Sequence, residues 1–195
     1  MTAIVLASAS KIRRQLLVNA GLSVAVVTHD VDERAVQREA GDDPRRIARL
    51  LAEAKATAAS IKRPASIVIG ADQTLEVKGQ ILTKPADREE AKRQLGLLSG
   101  KAHQLHTAFA LAQKGERITG QLRSARLTMR SLADGEIDWY LDQVGDMALL
   151  GVGAYQIEGL GVRLFDRIEG DYFTILGLPM VSLLAELRRL GVVSP

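Results

Sequence analysis

The sequence predicts an α/β protein, a mixed β-sheet flanked by helices, and three observations predict it. Two short apolar runs, residues 3–7 (AIVLA) and 66–71 (SIVIGA), have the length and β-branched content of buried strands. The first run passes at once into a 3.6-residue apolar period, the order strand, turn, helix. Further on, alternating segments flank Lys78-Gly79 and Lys114-Gly115, the short turns of hairpins, so antiparallel pairs accompany the strand–helix units.

Each element follows from local chemistry. After AIVLA come the small residues Ser8, Ala9 and Ser10, then a helix with Ile12, Leu16, Leu17 and Ala20 on one face and Gly21 as its stop. Residues 23–27 (SVAVV) read as a second strand. Asp43-Pro44 opens a helix through Ile47, Leu50, Leu51, Ala54 and Ala58, with Pro at its first position. SIVIGA ends at Asp72, and residues 75–77 and 80–82 form the hairpin around Lys78-Gly79. Asp87 and Glu90 approximate a capping box for a helix with Ala91, Leu95 and Leu98 inward, and Gly100 ends it. Residues 103–112 and 122–130 alternate as antiparallel strands joined through Lys114-Gly115. Residues 134–144 are helical, with Ile137, Tyr140, Leu141 and Val144 on one face. A glycine-rich stretch spans 151–177, and Pro179 opens a last helix with Leu183, Leu184, Leu187 and Leu190. No repeat, low-complexity tract or linker interrupts this order.

The bulk numbers exclude several function classes. A chain of 195 residues with 47% hydrophobic and 25% charged residues is an ordinary globular composition, long enough for one domain, 1–195, with room for two lobes. It contains no cysteine, which removes disulfides, zinc–thiolate sites and thiol nucleophiles. Its 26 basic and 23 acidic residues leave a net charge of +3, enough for an anionic ligand but too small for a nucleic-acid binder, and aromatics make up only 4%. No apolar run approaches the roughly 18 residues of a membrane span. The segment MTAIVLASAS lacks the basic start of a signal peptide, so a soluble, cytoplasmic protein is expected.

The candidate chemistry lies at the strand ends. Ser8–Arg14 (SASKIRR) sits where a strand gives way to a helix. Free N–H groups and the helix dipole favour an anion there, and Lys11, Arg13 and Arg14 add cations that oppose the dipole until an anion binds. On spacing alone the segment reads sooner as a capped surface helix with solvated arginines, because strand–Ser–helix turns are common. It is not a P-loop, because no GxxxxGK[ST] occurs in the chain, and no GxGxxG follows the first strand. Asp72, directly after SIVIGA, stands where α/β sheets bind ligands, and it can ligate Mg²⁺, act as a general base, or merely close a turn. Asp32-Glu33 is a second acidic pair that reads locally as a solvated loop. Lys84 precedes Pro85, which holds its backbone extended. His29, His103 and His106 are dispersed, and the last two, three apart in a strand, point to opposite faces, so they form no metal pair.

Taken in order, these segments resemble the Maf family of nucleotide pyrophosphatases. The resemblance rests on Leu6–Ser10 with Arg13 and Leu16-Leu17; Asp32-Glu33; Leu51-Ala52 with Lys55-Ala56; Ile69–Asp72; Lys84-Pro85; Leu98–Gly100; and Gly177–Pro179, together covering nearly the whole chain. It implies an elongated, inosine-triphosphatase-like α/β fold with a central cleft, often a homodimer. It implies hydrolysis of a nucleoside triphosphate to monophosphate and diphosphate with a divalent cation, Mg²⁺ or Mn²⁺. It places the general base at Asp72, the metal-binding carboxylates at Glu33 and Asp72, and phosphate binding at Ser8, Arg13, Lys55 and Lys84. Water attack on the α-phosphorus needs a base and neutralisation of the phosphate charge, and a diphosphate leaving group needs no strong acid, which suits a site without a placed histidine.

Three positions separate subgroups of the family. The dTTP- and UTP-hydrolysing pattern has Pro-Arg-Arg in the serine-rich turn, Thr after the Asp, and Gly-Ile-Gln-Gly late in the chain. Here Ile12 replaces the first arginine, Gln73 follows Asp72, and the late segment reads Gln156-Ile157-Glu158-Gly159. Gln73 and Glu158 resemble the 7-methyl-GTP subgroup, which carries Trp at the position of Ile12. A carboxylate at Glu158 can accept both N1–H and N2–H₂ of guanine, whereas uracil and thymine present one N–H between two carbonyls. Gln73 can add a neutral hydrogen bond to the base, and Ile12 packs against it with less stacking than Trp. The alternatives are a dTTP/UTP pyrophosphatase and a non-catalytic regulator of cell division. The second does not require Asp72, Glu33, Lys55 and Lys84 in family order.

Overall fold

A computed structural model describes residues 3–194. Met1, Thr2 and Pro195 lie outside it, and with them the first two residues of the segment read for a leader and both ends of the 1–195 domain. The elements run β1 (Ile4–Ala7), α1 (Lys11–Asn19), β2 (Val24–Val26), α2 (Glu33–Ala40), α3 (Pro44–Lys62), β3 (Ile67–Val77), β4 (Gln80–Leu82), α4 (Arg88–Leu98), β5 (Ala102–Gln113), β6 (Glu116–Met129), α5 (Asp134–Val144), β7 (Phe165–Glu169), α6 (Tyr172–Ile175) and α7 (Met180–Arg189). Short 3₁₀ turns occupy Gly145–Leu149, Val152–Ala154 and Leu160–Leu164. The seven strands form a mixed sheet in the order β2-β1-β3-β5-β6-β7, with β4 also pairing β3. The α/β class with a helix-flanked mixed sheet is therefore observed.

The chain divides into two compact units. The first holds the residues up to Gln73, His106–Ser124 and those from Asp171 onward; the second holds Thr74–Leu105 and Ala125–Gly170. In the first unit β1 pairs in parallel with β2 and with β3, Ile4 opposite Ile67 through Ala7 opposite Gly70. Helix α3 starts where Asp43 caps the Arg45 N–H at 2.9 Å and Pro44 takes the first turn. Its buried face is built of small residues. Ala48, Ala52 and Ala56 pack on Ala108, Ala110 and Ala112 of β5. A Cβ at Gly70 would lie 2.2 Å from the Ala52 carbonyl oxygen and 2.5 Å from the Ala56 nitrogen, so only glycine lets β3 meet the helix backbone this closely. In the second unit β4 returns antiparallel to β3 through Lys78-Gly79, both at positive φ, the hairpin geometry that this dipeptide predicts. Its core gathers Leu95, Leu98, Leu127, Tyr140 and Leu141. His103, Tyr155 and Phe165 pack ring against ring there.

Four expectations need correction. Asp72 does not end its strand. Strand β3 continues to Val77, so Asp72 is mid-strand; β1 pairs it only through Gly70 and β4 only from Leu75. The buried stripe of α3 runs through Ala48, Ala52, Ala56 and Ala59 with Ile47 and Leu51, and leaves Leu50, Ala54 and Ala58 half-exposed, because close packing on the sheet selects the small residues. Asp32-Glu33 is not a loop: Asp32 caps α2 by accepting the Ala35 N–H at 3.0 Å, and Glu33 is its first residue. Strand β6 begins at Glu116, six residues earlier than expected, and the glycine-rich stretch contains β7. No described helix is long and apolar enough to cross a membrane.

Candidate active site

Four elements of the first unit deliver four charged side chains. The Lys55 ammonium, on the sheet side of α3, lies 2.6 Å from Asp72 Oδ1 and 2.9 Å from Glu33 Oε1. Its side chain is 8% exposed, that of Asp72 13% and that of Glu33 43%, so the pair on Asp72 is shielded and the pair on Glu33 reaches water. Asp72 Oδ2 accepts from none of the described residues, which leaves one carboxylate oxygen anchored and the other available.

Arg13, one turn into α1, completes the group. Its Nε donates to the Gly177 carbonyl at 2.7 Å, and its Nη1 donates to the Ala71 carbonyl at 2.8 Å and to Ser8 Oγ at 3.3 Å. The Ala71 carbonyl is accessible to it because the β1 ladder stops one residue earlier. Burial lowers the affinity of Arg13 for its proton, and the charges of Asp72 and Glu33 oppose that effect. Nη2 makes no hydrogen bond to the described residues. Ser8 is buried, and its Oγ also accepts the Ser10 N–H at 3.3 Å; Ser10 Oγ caps α1 by accepting the Arg13 N–H at 3.4 Å. The turn also borders a pocket of about 390 Å³ shared with Lys11, Arg14 and β2.

Two groups near this site escaped the sequence. His29 Nε2 lies 3.9 Å from Glu33 Oε1, and its Nδ1 is buried with no hydrogen-bond partner among the described residues. Burial first, and the Lys55 charge second, push its imidazole below the ordinary value. A lone histidine in a loop carries no local signal of this placement. The second is a hydrogen-bonded knot around Gln73. Its Nε2 donates to Thr107 Oγ1 at 2.9 Å and to the Thr174 and Ile175 carbonyls at 3.1 Å each. Thr107 Oγ1 donates in turn to the Thr174 carbonyl at 2.8 Å.

Ser8, Arg13, Glu33, Lys55, Asp72 and Gln73 thus all belong to the first unit, and Ile12 is half-buried on α1 there. Lys84 and Glu158 belong to the second unit. Both are exposed, Lys84 beyond β4 and Glu158 in the turn before Leu160–Leu164. His103 Nε2 shares a 2.7 Å hydrogen bond with the Tyr155 hydroxyl, and His106 Nδ1 one with Ser124 Oγ, so both are buried polar residues.

The donor set suits a hard divalent cation. Two carboxylates converge on one ammonium within 2.9 Å. Among the described residues there is no group of three or more His, Asp or Glu that would hold a metal unaided. Mg²⁺ characteristically takes one or two carboxylates and completes its shell with water and substrate phosphates, so the residues present fit it.

The sequence profile of the Maf-like protein family matches residues 3–190. The 7-methyl-GTP pyrophosphatase of Brucella abortus biovar 1 (strain 9-941) is 51% identical over 189 residues, covering 95% of this chain and 95% of that protein. The protein of the same name from Mesorhizobium japonicum (strain LMG 29417 / CECT 9101 / MAFF 303099) is 50% identical over 193 residues, 97% of each chain. A nucleoside triphosphate pyrophosphatase of Rhodopseudomonas palustris (strain BisB18) is 50% identical over 187 residues, 95% of this chain and 93% of that one. With the family profile and these relatives all spanning nearly the full length, the chain belongs to the Maf family.

Proposed function

We propose that this protein is a nucleoside triphosphate pyrophosphatase that releases monophosphate and diphosphate, with 7-methyl-GTP or a related modified purine nucleotide as its substrate. The observation that carries the reading is the Lys55 ammonium bridging Asp72 and Glu33, with Arg13 fixed against the neighbouring Ala71 carbonyl. Relatives at about half identity are named for this activity.

Asp72 is the general base. Lys55 holds Oδ1, so the carboxylate is oriented before substrate arrives and Oδ2 is left to take the proton of the attacking water. Arg13 spends Nε and Nη1 on carbonyls and Ser8, and so presents Nη2 to a phosphate oxygen without reorganisation. Lys55 and Lys84 add positive charge for the phosphates, and Ser8 holds the Arg13 guanidinium in place. Glu33 and Asp72 would hold the divalent cation, Mg²⁺ or Mn²⁺. When bound, that cation supplies charge neutralisation and polarisation of phosphoryl oxygens. Glu158 reads the purine by accepting two N–H donors, and Ile12 packs against the base. The enzyme acts in the cytoplasm, where nucleotide pools are, as a homodimer.

The test is a panel of 7-methyl-GTP, GTP, UTP and dTTP with Mg²⁺ or Mn²⁺. Diphosphate as the inorganic product and preference for 7-methyl-GTP support the reading; orthophosphate release refutes it. Glu158→Gln, which loses one acceptor lobe to an amide donor, is expected to lower kcat/KM for 7-methyl-GTP by about tenfold or more while UTP changes little. Equal losses on both substrates remove Glu158 from the base site.

A further inference from the structure

Lys55 is placed among the phosphate-binding groups, yet its ammonium already engages the two carboxylates that would hold the cation. Nζ lies 2.6 Å from Asp72 Oδ1 and 2.9 Å from Glu33 Oε1. The fold delivers that charge to Asp72. Gly70 and Asp72, two residues apart on β3, lie on one face of the sheet. A Cβ at Gly70 would meet the Ala52 carbonyl oxygen at 2.2 Å and the Ala56 nitrogen at 2.5 Å, so β3 touches the very turn of α3 that carries Lys55. Lys55 is 6% exposed, so its ammonium is enclosed in this contact and does not swing on a free stem.

The two carboxylates and the one ammonium sum to a single negative charge. Among the described residues no third His, Asp or Glu joins the pair to hold a metal. A divalent cation drawn to these oxygens therefore meets a half-neutralised pair and a like charge bound to the same groups. Around Asp72, whose side chain is 13% exposed, solvent screens that repulsion poorly. A triphosphate reverses the balance, because its oxygens give the ammonium a further partner and the cation further ligands.

We infer that Lys55 competes with the divalent cation for Asp72 and Glu33, so that the protein alone holds the cation weakly and the phosphates of the substrate complete its site. Lys55 is thereby the residue that sets cation affinity. The inference rests on the pyrophosphatase reading, in which these carboxylates hold the cation, and adds the group that opposes it.

The test measures Mn²⁺ binding directly, by the electron paramagnetic resonance signal of the unbound ion, without nucleotide. Wild type, Lys55→Gln, and Lys55→Gln combined with Glu33→Gln are titrated, and melting curves are recorded in chelator and in Mn²⁺. Lys55→Gln is expected to bind Mn²⁺ about tenfold or more tightly than wild type, because one like charge is gone and both carboxylates are released. Its melting temperature should also rise more on adding Mn²⁺ than that of wild type. The double variant should lose the gain. Equal affinity in wild type and Lys55→Gln, or a gain that survives Glu33→Gln, overturns the inference. If Lys55→Gln fails to fold in chelator, recovery of its melting transition in Mn²⁺ supports the inference, since the cation then replaces the ammonium on the two carboxylates; no recovery overturns it. The titration needs no turnover, so the two readings separate. A wild type that releases diphosphate, with no gain in Lys55→Gln, refutes the competition alone. A gain in Lys55→Gln, with a wild type inactive on every triphosphate, refutes the pyrophosphatase reading alone.

Discussion

Lys55 is the residue on which the site turns. One ammonium satisfies two carboxylates, and its near-complete burial ties it to them. Asp72→Asn keeps the shape and a hydrogen-bonding oxygen but removes the carboxylate proposed as the base. Turnover is expected to fall by about a thousandfold or more while nucleotide still binds, as single-turnover and equilibrium titrations will separate. Substantial residual turnover would move the base elsewhere. His103 gives a stability prediction. Burial holds its imidazole at about 4, against the ordinary 6.5. Between these values the unfolded chain binds a proton that the folded chain refuses, so stability is greatest above pH 6.5 and falls as pH is lowered toward 4. The full loss is about 3 kcal/mol. Urea midpoints at pH 7 and pH 4.5 should differ less in His103→Gln than in wild type, and an unchanged difference would assign the acid sensitivity to other groups.

At the scale of elements, the packing of α3 on the sheet sets the separation of Lys55 and Asp72. The helix lies close because its sheet-facing residues are alanines and because Gly70 has no side chain. Gly70→Ala would drive a methyl group into the Ala52 carbonyl. It is expected to cost about 3 kcal/mol in urea unfolding, together with a loss of activity, since any outward shift of α3 carries Lys55 from Asp72. Full activity and full stability in that variant would contradict this account of the packing. Helix α2 shows how a short signal is lost: Asp32 is a sound cap, but the helix is only eight residues long and buries only Ala40, so its apolar period spans little more than two turns. The continuation of β3 past Asp72 was hidden for a related reason. Asp72 and Gln73 interrupt the apolar run, and their neighbours in the sheet, not their own propensity, keep them extended.

Over the whole molecule, charge balance argues for the proposed cation. Arg13 and Lys55 are matched one for one by Glu33 and Asp72, so this group offers no net positive charge to a triphosphate. Removal of divalent ions by a chelator is therefore expected to abolish turnover, with recovery on adding Mg²⁺ or Mn²⁺; activity that persists in the chelator would leave neutralisation to protein cations alone. Local sequence was sufficient for the α/β class, for β1, α1, α3, α4, α5 and α7, for both Lys-Gly hairpins, and, through ordered motifs, for the family. Those features depend on periodicity and caps, which reside in consecutive residues. The convergence of Lys55 on both carboxylates, the capture of Arg13 by the Ala71 and Gly177 carbonyls, and the engagement of the Gln73 amide by Thr107, Thr174 and Ile175 required the folded chain. Residues 17 to 164 positions apart meet in them, and hydrogen bonds over such separations leave no trace in local pattern.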